Sequence, residues 1–190
     1  MNNQSIIFQK LELFIKKFYT NELLKGIIFF VGLGLLYLIF TLFVEYFLWL
    51  KPFSRTILFY FFILIEFFLL FRYIIYPLLK LFKISKGIDY KDASNIIGNH
   101  FTDVSDKLTN FLQLTASQNK SELLLASIEQ KSRTFQPIPF ANAINFSSNK
   151  KYLPLAIIPI LIFMVFYISG KEQILSQSFN RIVHYKQQFV

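Results

Sequence analysis

The chain contains no cysteine, and that absence removes disulfide bridges, thiolate nucleophiles and cysteine-based metal sites together. Charge is scarce as well: only 16% of the 190 residues are Asp, Glu, Lys or Arg, against 54% from the apolar and aromatic set. A mean hydropathy of +0.46, with 25 Phe and 10 Tyr, excludes intrinsic disorder. Histidine is limited to His100 and His184, neither with an HExxH-like neighbour, and no GxSxG or SxxK pattern accompanies the serines. His100, on an apolar stripe, reads as a packing residue. Gly32-Leu33-Gly34 is no dinucleotide loop, because no strand precedes it, and reads as a close helix contact. The expectation is a protein without catalytic residues, cofactor or metal.

The apolar residues fall into three blocks. Gly26 to Val44 holds 19 residues without a charge, and the apolar character runs on to Leu50. That length crosses a hydrocarbon core of about 30 Å at about 1.5 Å per residue. Bulky Tyr46, Phe47, Leu48 and Trp49 stand where a signal-peptidase site needs small residues, so a retained span is expected. A second block, Thr56 to Leu79, is interrupted by Glu66 and Arg72, and the proline-bearing link Lys51–Arg55 makes the first two blocks a helical hairpin. Tyr152 to Gly170 is the third span, with Ser147, Ser148 and Asn149 as candidate caps and a kink expected at Pro159.

Between and around the spans the periodicity is helical. Ile7, Leu11, Phe14, Ile15 and Phe18 form a stripe opposed by Gln9, Lys10, Glu12, Lys16 and Lys17: a helix over 1–24 lying on the membrane surface or packed on the 80–151 segment. Three short helices are expected between 89 and 135, marked by Ala93, Ile96 and Ile97, by Val104, Leu108, Phe111 and Leu112, and by Leu124, Ile128 and Phe135. Thr102 or Asp103 is the candidate cap of the second and Asn119 with Glu122 that of the third. Gln136–Phe140 is expected to be extended. After Gly170, residues 171–190 carry a stripe of Leu175, Phe179, Ile182 and Phe189, a tail whose apolar side needs a partner.

The fold expected is therefore all-α: three transmembrane helices (26–50, 56–79 and 152–170), a small helical cap over 80–151, and amphipathic N- and C-terminal helices. Its orientation follows from Lys and Arg. Residues 1–25 and 80–151 carry fourteen of them, the link and the tail five. That bias predicts a cytoplasmic N-terminus and cap and a periplasmic C-terminus, in a bacterial inner membrane. The +9 formal charge thus follows topology and implies no nucleic acid, whose recognition would want a basic face with accessible aromatics. Lys80, Lys83 and Lys86, with Lys150 and Lys151, form collars for anionic lipid headgroups.

Intramembrane charges are the remaining candidates, since an ionisable side chain in hydrocarbon is costly, at least about 2.5–3.5 kcal/mol for Asp, Lys or Arg on insertion scales. Arg72 and Glu45 have routes to water, and Glu45 also has Arg55 within reach. Glu66 has none. It lies ten residues past Thr56, which the hairpin sets level with Thr41 or Tyr37 on the face shared by Gly34 and Glu45. An interhelical hydrogen bond is the expected role, and a proton or ion site the alternative.

The segments Val104-Ser105-Asp106-Lys107-Leu108-Thr109-Asn110-Phe111-Leu112-Gln113-Leu114 and Ser121-Glu122-Leu123-Leu124-Leu125-Ala126-Ser127-Ile128-Glu129-Gln130 resemble a family of large bacterial inner-membrane proteins that carry a domain of unknown function. The resemblance covers the whole chain as that family's N-terminal part: two spans, a cytoplasmic helical insert and a third span. It implies either that a long extracytoplasmic region with immunoglobulin-like and coiled-coil character follows, or that the chain is a stand-alone relative. It implies no catalytic residues. The function expected is a non-enzymatic anchor or assembly subunit of an envelope complex, in contact with membrane lipids and with other envelope proteins or further copies of itself. The alternative is an ion- or proton-coupled transporter or motor subunit using Glu66.

Overall fold

From Asn3 to Leu48 no proline interrupts the chain, and the computed structural model, which describes residues 3–117 and 121–189, shows one helix of 46 residues there, α1 (Asn3–Leu48). The amphipathic segment expected over 1–24 and the first span are continuous in it, because the Lys25–Gly26 junction holds no turn-forming sequence strong enough to stop a propagating helix. The chain reverses at Trp49, which takes a left-handed conformation (φ 43°), and an extended Lys51 leads into Pro52 in the first turn of the next helix. The link is thus shorter than Lys51–Arg55.

The second helix, α2 (Pro52–Leu81), widens into a π turn at Phe71–Ile75. Its cause is Pro77, which has no N–H to give the Tyr73 carbonyl and whose ring crowds the preceding turn. The helix closes on Lys83, also left-handed (φ 57°), with the N–H groups of Ile84 and Ser85 both returning to the Leu79 carbonyl at 2.9 and 3.2 Å. Then come α3 (Tyr90–His100), α4 (Ser105–Ala116), α5 (Glu122–Phe135), short 3-10 turns at Phe140–Ala143 and Phe146–Tyr152, α6 (Leu153–Ile168) and α7 (Glu172–Val183). No strand occurs among the described residues, and three helices are long and apolar enough to cross a membrane.

The packing divides the chain into two units, Met1–Glu22 with Leu79–Phe146 and Leu23–Leu78 with Ser147–Val190. In the first, the stripe of α1 is the centre of the core. Ile7, Leu11 and Phe14 are fully buried with Ala93, Ile97, Leu108, Phe111, Phe135 and Phe140, each large side chain contributing about 1.5–3 kcal/mol. Lys10 donates to the carbonyls of Gln136 and Ile138, and Lys17 to that of Ala141 at 2.8 Å. Gln136–Phe140 is correspondingly a turn leading into a 3-10 turn rather than an extended run. Asp89 and Asp92 form a capping box on α3. At α4 the N-cap is Val104 without a side-chain bond, so neither Thr102 nor Asp103 caps it. The cap expected from Asn119 lies outside the described residues; Ser121 Oγ caps α5 by accepting the Leu124 N–H at 3.3 Å.

In the second unit α1 packs through its glycines, and two of them, Gly26 and Gly32, are set against a backbone carbonyl that a proline has deprived of its helical donor. Pro77 frees the carbonyl of Tyr73, and Gly26 lies directly on it. Pro159 frees that of Leu155, and a β-carbon at Gly32 would stand 2.7 Å from its oxygen. Close Cα–H···O=C contacts of this kind partly replace the missing N–H. α6 is continuous through Pro159. Ser147, Ser148 and Asn149 lie in a 3-10 turn, and the helix is capped instead by Tyr152 without a side-chain bond. Gly170 (φ 64°) ends α6 and turns the chain into α7.

Candidate functional site

Three charged side chains meet where α1 ends, α2 begins and α7 passes. Glu45, in the last turn of α1, is 0% exposed; Arg55, in the first turn of α2, 1%; Arg181, in the last turn of α7, 4%. Arg55 Nε donates to Glu45 Oε1 at 3.1 Å and Arg181 Nε to the same oxygen at 3.2 Å. The remaining donors of Arg55 reach the Leu50 carbonyl (2.7 Å) and that of Gln187 (2.8 Å). The Arg181 guanidinium lies 4.0 Å from the Trp49 ring centroid and that of Arg55 5.0 Å from Phe189. Glu45 Oε2 is buried without a partner. One carboxylate thus holds two guanidiniums, and the cluster fastens α7 and the tail beyond it to the hairpin. Arg181 was not singled out from the sequence; the available signal was a cation on the same helical face as Leu175, Ser178 and Ile182.

Glu66 sits elsewhere. Its carboxyl lies against Gly34, where a β-carbon would come within 2.9 Å of Oε2, beside a cavity of about 340 Å³ lined by Phe30, Val31, Leu35, Leu38 and Phe62. Oε1 is buried with no partner. The hydrogen bond expected with Thr41 is not made: the Thr41 hydroxyl donates to the Tyr37 carbonyl at 2.8 Å, and the Tyr37 ring stacks on Phe62. Arg72, on the π turn, is exposed and lies over the rings of Tyr73 and Tyr76.

The lysine collars are separate groups. Lys80 and the exposed Lys83 border a cavity with Tyr19, Ser85 and Tyr90; Lys86, Lys150 and Lys151 are exposed away from it, Lys151 over the Tyr152 ring. The Tyr90 hydroxyl donates to Glu12 at 3.2 Å, and burial, with the Glu12 charge beside it, raises the phenol above its ordinary range. In the tail, Leu175 and Ile182 are buried against Leu42, Phe189 is half-buried beneath Arg55, and only Phe179 of the four stripe residues is exposed. Most of the apolar side expected to need an outside partner is therefore covered within the chain.

His100 is exposed against Phe101 and His184 Nδ1 lies 3.0 Å from the Asn180 carbonyl. Among the described residues no three His, Asp or Glu side chains gather as a metal site. No protein-family model matches the chain, and no curated protein or solved structure is detectably similar to it.

Proposed function

We propose that the chain is a non-enzymatic inner-membrane anchor or assembly subunit of an envelope complex, oriented with its N-terminus and the 80–151 segment in the cytoplasm and its tail in the periplasm. The observation that carries this reading is the apolar groove beside the fastened tail. It has a volume of about 600 Å³ and is lined by Leu38, Leu42, Ile160, Phe163, Tyr167 and the half-exposed Phe179. The buried charge cluster holds α7 in place, so the groove is a fixed surface for an apolar helix of an envelope partner or of a second copy. The excess of Lys and Arg in the N-terminal and central segments supports the orientation.

A photo-crosslinking residue replacing Phe179 in the full chain should yield a larger adduct in intact cells, whereas one replacing the lipid-exposed Phe61 should yield far less. Exclusive recovery of solitary monomer from both would refute the reading. A second reading, proton- or ion-coupled action at Glu66, draws on the unpartnered Oε1. Glu66→Gln separates the two, since a neutral hydrogen-bonding isostere preserves an anchor and abolishes proton coupling.

A further inference from the structure

We infer that the end of α2 carries a site for the phosphate of an anionic phospholipid headgroup. The turn that closes this helix is an unfavourable one for its sequence, because Lys83 occupies a left-handed conformation (φ 57°) that glycine adopts at no steric cost. It sets Lys80, Lys83 and Ser85 along the wall of a cavity of about 360 Å³, within the size range of small-molecule sites.

Each part of the lining makes a demand that one class of molecule meets. The Ser85 hydroxyl is buried with no hydrogen-bond partner and needs an acceptor. The Lys80 and Lys83 ammoniums supply positive charge for an anion. Ile15, Tyr19, Ile88 and Tyr90 make the rest of the surface apolar, suited to the glycerol carbons and first methylenes of a lipid and ill suited to a fully hydrated ion. Two carboxylates also line the cavity, and both are engaged. Asp89 accepts the Asp92 N–H at 2.7 Å as a helix cap. Glu12 accepts from Tyr90 and lies 3.3 Å from Lys83, which orients that ammonium while leaving it two further N–H donors. The Tyr19 hydroxyl accepts the Ile88 N–H at 2.7 Å and so fixes the aromatic wall. Lys80 stands in the last turn of a helix long and apolar enough to cross a membrane, where lipid phosphates lie.

The site is independent of any docking at the tail, so its failure leaves that reading standing. The test is native mass spectrometry of the purified full chain in detergent, titrated with palmitoyl-oleoyl phosphatidylglycerol or with the zwitterionic phosphatidylcholine of the same chains. The expected result is one retained phosphatidylglycerol, little phosphatidylcholine, and about a tenfold weaker retention in Ser85→Ala and in Lys83→Gln. Replacing the exposed pair Lys150 and Lys151 by glutamine should leave retention unchanged. Lys83→Gly separates binding from folding, because it relieves the backbone and should raise the melting temperature while still losing the lipid. Retention that is unchanged in the Ser85 and Lys83 variants, or equal for the two lipids, would overturn the proposal. Displacement by soluble glycerol 3-phosphate at matching concentration would also overturn it, by assigning the cavity to a water-soluble phosphate ester.

Discussion

Replacing Gly32 by alanine tests the glycine–carbonyl packing of the membrane helices directly. The added methyl would stand 2.7 Å from the Leu155 oxygen and from its Cγ, 0.7 Å short of the 3.4 Å at which ordinary contact begins. The oxygen belongs to a helix backbone and cannot swing aside, so α1 and α6 must separate locally. Overpacking of this kind costs about 1–3 kcal/mol, and loss of the Cα–H···O contact about 0.5–1 kcal/mol more. Against that, alanine exceeds glycine in helix propensity by about 1 kcal/mol. The expected net loss is about 0.5–3 kcal/mol, measurable by reversible unfolding in detergent micelles. Pro159→Ala in the same helix restores an N–H to the Leu155 carbonyl, so in that background Gly32→Ala should cost about 0.5–1 kcal/mol less. If Gly32→Ala proves as stable as the parent, the close contact is refuted; strict additivity of the two substitutions would refute the role given to the freed carbonyl.

Glu45→Ala should destabilise the second unit by about 3–5 kcal/mol, because it leaves Arg55 and Arg181 buried without their counter-charge, and amide exchange in 172–189 should accelerate; unchanged exchange there would show that the cluster does not hold the tail. The raised Tyr90 phenol gives a signed pH effect in the first unit. The folded chain binds that proton more tightly than the unfolded one, so stability is intact below the ordinary tyrosine value of about 10 and is lost as pH rises beyond it. Tyr90→Phe should flatten that part of the alkaline profile, and an unaltered slope would contradict the assignment.

Periodicity made the apolar faces legible. Ile7, Leu11 and Phe14, read as one stripe, are buried together, and the residues marking α3, α4 and α5 line the same core. Register was not legible, and one short link explains why. With the second span begun at Thr56, Glu66 falls ten residues in and level with Thr41. Because proline is favoured in a first helical turn, α2 begins at Pro52. Glu66 is then fourteen residues in, and counting fourteen back from Leu48 reaches Gly34, the residue it touches. The charge cluster was hidden for a different reason: Arg181 lies 136 positions from Glu45, and nothing local at either residue names the other. Pro77 and Gly26 are likewise uninformative singly, since the carbonyl one frees matters only once the fold sets the other beside it.

The two carboxyls of the membrane helices are in opposite situations, which bears on what each can do. Glu45 is held by two guanidiniums through a single oxygen, and those guanidiniums are in turn fixed by the carbonyls of Leu50 and Gln187 and the Ser178 hydroxyl. A carboxylate so matched is suited to fastening and unsuited to passing a proton, because each departure strands buried positive charge. Glu66 has the reverse arrangement: among the described residues it makes no ion pair, its cavity is lined by apolar side chains with the Tyr37 phenol nearby, and a glycine lies beneath it. Carrying a proton onward would require a chain of polar groups, and the residues lining the cavity beside Glu66 are Phe, Val, Leu and Gly, although the Tyr37 phenol lies near. On this packing we propose Glu66 as a contact between helices rather than a station in a relay, and Gly34→Ala offers an independent check. Its methyl would press on the carboxyl at 2.9 Å and should displace Glu66, lowering stability while Glu66→Gln leaves it nearly unchanged. Equal loss in the two variants would mean that the carboxylate's charge, rather than its shape against the glycine, matters at this position.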